Sequence, residues 1–489
     1  MSRYYVTTSI PYVNGKPHIG HALELVQVDV LARHRRQRGD EVRAQTGTDD
    51  NALKNVHSAE AEGIGPAEYV ARVAERFAGL GKALELEFDD FVRTSSDPRH
   101  APGVVKLWEA CAEDFYRRSY TGLYCVGCEV FYRPDELVDG RCPEHGTVPE
   151  EVTEDNWFFR LSRYQDRLER LVEDDVVRVE PLSRKREVLS FLRSGLEDFS
   201  VSRSTDRARG WGVPVPGDPG QVVYVWFDAL ANYLTGPGYG TDDAGFRHWW
   251  ADCPERVHVI GKGIIRFHAV YWLAMLLSAG IALPTTIFVH EYLTAGGRKI
   301  SKSEGNADDP AEVVDGHGSD AVRWWLLSEV ARAGDTDFTA ERLVARANED
   351  LANNLGNLVN RTVSMIAKFG PAEGDDPGAT ALREARADAA DTIDRALAGF
   401  DFRRAVEAVT RIGDEANRYV QATKPWVLAK QGSPELPRVL GELLATCRDV
   451  AEHLTPFLPS AAARIAAQCD GAPIRPVFPR LIEAEDVRT

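Results

Sequence analysis

The sequence predicts an α/β protein: a Rossmann-like parallel sheet carrying an insert, followed by an all-helical bundle. Three observations carry that prediction. Strand-like and helix-like stretches alternate up to about residue 110 and resume after about residue 220. Between them lies a segment with paired cysteine turns. From about residue 345 the apolar residues recur at helical spacing only.

The chain of 489 residues has room for about three domains. With 44% hydrophobic and 27% charged residues it reads as an ordinary soluble protein. A net charge of −17 excludes a generally basic nucleic-acid binder, yet leaves room for local basic patches that meet phosphate. The start, Met1 to Tyr5, lacks the apolar run of a secretion signal, and no stretch approaches the ~20 apolar residues of a membrane span. The 7 cysteines, an odd count, do not suggest a disulfide framework. A cytoplasmic enzyme without membrane association is expected.

Taken in order, Tyr4 to Thr8 is rich in aromatic and β-branched residues and forms the first strand. Asn14, Gly15 and Pro17 end it with turn chemistry. Ile19, Leu23, Val26 and Val30 then mark a helix. His18 and His21 fall on its first turn, with Gly20 between them. The free N–H groups and dipole there favour phosphate, and two imidazoles add hydrogen bonds. On these residues alone, a cap and a core histidine explain the pair equally well. In Thr46 to Asn51, Asp49 either meets a substrate ammonium or caps the next helix. The cap is the simpler expectation.

Cys125-x-x-Cys128 is followed, after 13 intervening residues, by Cys142-x-x-His145. Two turns of two ligands each make a closed tetrahedral zinc site, whereas a redox motif would not need the second pair. Cys111, Cys253, Cys447 and Cys469 are expected to pack. Val222 to Trp226 reads as a strand and Asp228 to Tyr233 as a helix start. Trp226, Ala229, Tyr233, Ile264 and His268 make an apolar, aromatic wall with one polar tip, or plain core. In Gly297 to Asn306, Lys299 and Lys302 alternate with Ser301 and Ser303. Such a loop can close over a leaving pyrophosphate, or be solvated surface.

Leu351, Leu355, Leu358, Thr362 and Ile366 form one helical stripe. Phe402, Val406, Val409, Ile412, Ala416 and Tyr419 form another, with Gly374 to Gly378 as a connecting loop. Asn357 and Arg361 share a helix face. Trp426, after Pro425, is a stacking platform for an unpaired base or a core residue.

Together these motifs resemble the methionyl-tRNA synthetase family of class I aminoacyl-tRNA synthetases along essentially the whole chain. Besides His18-Ile-Gly-His21 and Lys299-Ile-Ser-Lys-Ser303, the likeness rests on Ile10 to Gly15, the cysteine pairs, Asn156 to Arg160 and Val225 to Ala229. Further pieces are Phe267-His268, Asp350 to Asn357, Asn417 to Tyr419 and Lys424 to Trp426. The resemblance implies methionine activation by ATP with Mg²⁺, followed by transfer to tRNA(Met). His18, His21, Lys299 and Lys302 would be catalytic and, with Gly20, Ser301 and Ser303, would bind ATP. Ile10, Tyr12, Asp49, Trp226, Ala229, Tyr233, Ile264 and His268 would line the L-methionine site. Asn357, Arg361 and Trp426 would read the anticodon, and Cys125, Cys128, Cys142 and His145 would hold one structural zinc.

It also implies a catalytic domain over 1–111 and 216–285, a connective insert over 112–215, a lysine-serine loop and stem-contact region over 286–345, and an anticodon-binding domain over 346–489. A monomer is expected. A small-molecule nucleotidyltransferase and a non-catalytic, regulatory tRNA-binding paralogue are the alternatives. Of three departures from the family's pattern, those at Asp50, Asn51 and Gly263 keep the second open. The family has aspartate where Gly263 stands, Thr-Asp-Glu-His-Gly where Thr48 to Ala52 stands, and glycine in place of Glu291. They suggest a divergent copy, tolerant of methionine-mimicking inhibitors or reduced in activity.

Overall fold

The computed structural model describes residues 2–127, 129–144, 146–300 and 308–482. The chain divides into two compact units. The first holds the residues up to Pro17, Arg38–Lys82 and Glu87–Glu291. The second holds His18–Gln37, Ala83–Leu86 and the chain from Tyr292 onward.

The first unit is built on six strands, β1 (Arg3–Thr8), β2 (Glu41–Thr48), β3 (Asp90–Arg93), β4 (Arg178–Glu180), β5 (Glu255–Gly261) and β6 (Thr286–His290). Their order is β3-β2-β1-β5-β6-β4, and every neighbouring pair is parallel. Val6 lies between Ala44 and Val257. Tyr4 to Thr8 are all buried, so β1 reads as a continuous run rather than an alternation. Strand order reverses between β1 and β5. In such sheets, ligands bind outside the carboxyl ends of the strands at this reversal.

The insert contributes a separate antiparallel sheet. Phe115–Cys125 pairs with Glu150–Phe159 from Phe115 opposite Phe159 to Tyr124 opposite Glu150. Val130–Tyr132 and Phe199–Ser200 flank them. Trp108 seats this sheet, with its ring 4.3 Å from Phe115 and 5.5 Å from Phe227.

Two expectations need correction. Arg178–Glu180, within the expected insert, is the edge strand of the main sheet. Three residues are too few to show a period. Val222 to Trp226 is not one strand: the strand is Asp218–Val223, and the helix Val225–Leu230 begins after Tyr224. A short, fully buried apolar run carries no periodicity that separates helix from strand.

The second unit is largely helical. Asn357–Phe369, Thr380–Ala398, Phe402–Thr423, Pro425–Gln431, Leu436–Leu454 and Pro459–Cys469 form the expected bundle. The helix Ile19–Gln37 also belongs here, although its sequence neighbours lie in the parallel sheet. Its Asp29 accepts from Arg323 Nη2 at 2.7 Å, with both side chains fully buried. Arg323 donates further to the carbonyls of Leu84, Pro456 and Phe457. A buried guanidinium this well matched is fixed in place, because each lost partner strands a polar group.

Candidate active site

In the first unit, the turn after β2 brings Asp49 beside Tyr12, whose segment it joins through a parallel bridge and the Asp49 N–H to Pro11 carbonyl bond of 2.9 Å. Asp49 does not cap the following helix, correcting the simpler expectation. That helix, Leu53–Glu62, starts after Ala52 and has no side-chain cap. Asp49 is buried, and burial raises its carboxyl pKa well above the ordinary value, with Asp228 and Glu129 adding to the rise. Lys54 opposes the rise. A crowd of buried carboxylates of this kind favours an incoming cation.

Trp226 lies stacked on Phe267, with centroids 3.7 Å apart, and meets Tyr12 edge-on at 6.1 Å. Ala229 is buried, while Ile10 and Ile264 are half-buried. The helix through Phe267–Trp272 is wound as a π-helix, a form frequent at functional sites. His268 Nδ1 lies 3.0 Å from the Ile264 carbonyl, and Nε2 lies 2.7 Å from the Tyr233 hydroxyl. A carbonyl only accepts, so Nδ1 carries the hydrogen and Tyr233 donates to Nε2. Burial pushes the His268 pKa down to about 4, so this imidazole is neutral near pH 7. The Tyr12 hydroxyl is buried with no hydrogen-bond partner among the described residues. Plain core rarely leaves such a group unmet, which favours a pocket here.

The three departures occupy distinct places. Asp50 accepts from Ser95 at 2.6 Å, Thr48 at 2.7 Å and Arg93 at 3.1 Å, so it is spent on local bonds. Asn51 donates to Asp228 at 2.7 Å, which also meets His100 Nε2 at 2.9 Å. Glu291, nearly buried, pairs with Arg184 at 2.5 Å and lies 3.6 Å from Lys262, the neighbour of Gly263. Of the two acids at these departures, Asp50 and Glu291, it is Glu291 that reaches the lysine beside Gly263. Lys54 and Glu129 escaped the sequence reading. Lys54 Nζ sits 3.4 Å over the Tyr12 ring and donates to the Gly127 carbonyl at 3.0 Å. Their only sequence signal was position, beside Asp49 and Cys128.

The cysteine turns sit at one end of the insert. Cys125 ends its strand opposite Val130, and Cys142 N–H donates to the Thr147 carbonyl at 2.8 Å. Thr147 Oγ1 is also 3.8 Å from Cys125 Sγ, so both turns meet at one residue. Both cysteines are buried. That convergence fits a shared tetrahedral site. Cys128 and His145 lie outside the described residues. Among the described residues, no group of three or more metal-ligating side chains forms.

In the second unit, the His18 and His21 rings stack at 3.8 Å, and His21 Nδ1 accepts from the His18 backbone N–H at 3.0 Å. A Cβ on Gly20 would come within 3.0 Å of the His18 ring, which is why glycine suits that place. Lys299, described in its backbone only, pairs with Thr294 across a hairpin whose turn is Gly296 and Gly297, at φ 61° and 71°. Asp337 fastens that hairpin through the Gly297 N–H and the Thr294 hydroxyl, each at 2.8 Å. Ser301, Lys302 and Ser303 lie outside the described residues. Asn357 is exposed, Arg361 lies 5.8 Å from the Trp426 ring, and Trp426 is 39% exposed. Lys424 is left-handed at φ 46°, so one helix ends there and Pro425 opens the next, turning Trp426 outward. Trp426 is therefore no core residue.

A nucleotide-type sheet, a histidine turn and a helical bundle together define a class I tRNA synthetase. The family model of tRNA synthetases class I (M) matches residues 4–148 and 145–363, and the chain belongs to that family. The methionine–tRNA ligases of Brucella melitensis and Rhizobium meliloti are each 40% identical to it, over 99% of both chains. Among solved structures, Mycobacterium tuberculosis methionyl-tRNA synthetase in complex with methionyl-adenylate is 38% identical. It matches with a TM-score of 0.90 over 98% of this chain and 100% of that one.

Proposed function

We infer that the chain is a methionine–tRNA ligase, converting methionine and ATP to methionyl-adenylate and passing it to tRNA(Met). The carboxylate of methionine attacks the α-phosphate and pyrophosphate leaves, with Mg²⁺ accompanying the nucleotide. His18, His21, Lys299 and Lys302 stabilise the charge of the transition state, and Gly20, Ser301 and Ser303 complete the nucleotide contacts. The observation that carries the substrate assignment is the pocket around Asp49. A buried carboxylate suits the ammonium group of an amino acid. The aromatic wall of Tyr12, Trp226 and Tyr233, with the neutral His268, suits an uncharged thioether.

Ile10, Ala229 and Ile264 complete that wall. Cys125, Cys128, Cys142 and His145 would hold a structural zinc that fixes the two turns of the insert. Asn357, Arg361 and Trp426 meet the anticodon. The domain boundaries near residues 112, 216, 286 and 346 belong to the same reading, as do a monomer and a cytoplasmic setting. Among the described residues, no helix is long and apolar enough to cross a membrane. ATP–pyrophosphate exchange with each of the twenty amino acids tests the assignment: exchange with methionine alone is expected, and none with any would leave a non-catalytic tRNA binder. Elemental analysis of protein purified without chelator should find one zinc per chain.

A further inference from the structure

The helix Ile19–Gln37 carries the histidine turn at its N-terminal end and is fastened at its other end. Asp29 meets Arg323, which also holds the Pro456 and Phe457 carbonyls just beyond the helix Leu436–Leu454. Arg33 donates to Asp29 and to the Glu85 carbonyl, each at 2.9 Å, and the Glu85 carboxylate takes the hydroxyls of Ser319 and Ser460. Gln37 donates to the Glu452 carbonyl at 3.0 Å. His34 Nε2 lies 3.1 Å from Asp394 on Thr380–Ala398. Residues 29, 33 and 37 recur every four positions and so lie along one face.

We infer that the helical bundle positions His18 and His21 through this ladder, with Arg323 as its central positioning residue. The inference rests on the functional reading above, in which those histidines stabilise the transition state. Asp29 stands about 16 Å along the helix from His18, at ~1.5 Å per residue. Among the described residues, the first turn has one outside backbone bond, from the Ile19 N–H to the Asp308 carbonyl at 3.1 Å. A rigid rod held from its middle to its far end by the ladder carries that turn with it. Arg323 suits the task because its planar fork engages four acceptors from three separate chain segments, which restrains both rotation and translation of the helix. The bundle thereby serves the small-molecule step as well as tRNA binding.

The test is a cycle of variants read by ATP–pyrophosphate exchange. Replacing the pair together, Asp29→Leu with Arg323→Met, avoids leaving one buried charge alone. In the otherwise unchanged chain, kcat should fall roughly 10- to 100-fold, because small misplacement of oriented groups is costly. The KM for methionine should stay within about twofold, since that pocket lies in the first unit. In a background already carrying His18→Ala and His21→Ala, the same replacement should cost almost nothing further, because the groups it positions are gone. An equal fold-loss in both backgrounds would overturn the inference and leave the ladder a purely structural feature. Should the paired variant fail to fold, Arg33→Ala, whose side chain is 17% exposed, goes through the same cycle with an expected loss of about threefold. Failure of the unaltered protein to exchange with methionine would refute the functional reading instead.

Discussion

His268 in the first unit and Arg323 in the second are both at most 1% exposed, yet their surroundings treat charge in opposite ways. His268 meets a carbonyl and a hydroxyl and, among the described residues, no acid within hydrogen-bond reach, so burial leaves it neutral. Arg323 meets Asp29 and three carbonyls. The contrast separates a ligand pocket from an anchor. In the proposed reading, a pocket for an uncharged thioether keeps its polar tip neutral, while an anchor needs opposed charges and a full set of acceptors.

The comparison can be broken most forcefully at Arg323. Arg323→Ala leaves Asp29 buried without its guanidinium and should cost about 3–5 kcal/mol in denaturant unfolding. A loss under about 1 kcal/mol would mean that the anchor is not tight.

On the pocket side, the neutral His268 has a folded pKa of about 4, below its ordinary 6.5. Its contribution to stability is therefore complete above pH 6.5 and lost as pH falls towards 4. That loss is at most about 3 kcal/mol. Buried His258, lowered in the same sense, adds to it. Unfolding measured from pH 7 to 4 should show a shallower decline for His268→Gln than for the unaltered protein. Parallel declines would reassign the acid sensitivity elsewhere.

Trp426→Ala sharpens the comparison from the tRNA side. Losing one base–aromatic stack costs ~1–3 kcal/mol, so charging of tRNA should fall roughly five- to a hundredfold with exchange intact. Equal losses in both half-reactions would mark Trp426 as a structural residue.

The smallest effect is expected at Gly263. The neighbouring Lys262 already lies 3.6 Å from Glu291, so Gly263→Asp should leave turnover within about twofold. Inhibition by methionine-mimicking compounds should strengthen. A large gain in turnover would show the missing carboxylate to be an activity defect.

The parallel sheet and the bundle were legible because their apolar residues repeat locally, in runs such as Tyr4 to Thr8 and Phe402 to Tyr419. The stacked turn of His18 and His21 was legible as a strand-turn-helix junction because its residues lie within one turn of each other. The helix Ile19–Gln37 shows what such local reading misses. The helical spacing of Ile19, Leu23, Val26 and Val30 identifies a helix, but nothing near Asp29 points to Arg323, 294 positions later. Asp49 was read as a cap because the carboxylates that crowd it, Asp228 and Glu129, are remote in sequence. Arg178–Glu180 owes its place in the sheet to pairing with β6 rather than to its own three residues.

The ladder also bears on how the chain is made. The ribosome releases the helix Ile19–Gln37 early, but Arg323 follows Asp29 by 294 residues, and Phe457 later still. At ~5–20 residues per second, Asp29 waits roughly 15–60 seconds for its partner. During that interval its carboxylate must remain hydrated, and the helix, about 28 Å long at ~1.5 Å per residue, has no bundle to cover it. Domains usually fold as they emerge, the N-terminal one first. Here the second unit contains both Ile19–Gln37 and helices as far on as Pro459–Cys469, so its nascent form cannot close around Asp29 until Arg323 and Phe457 have emerged.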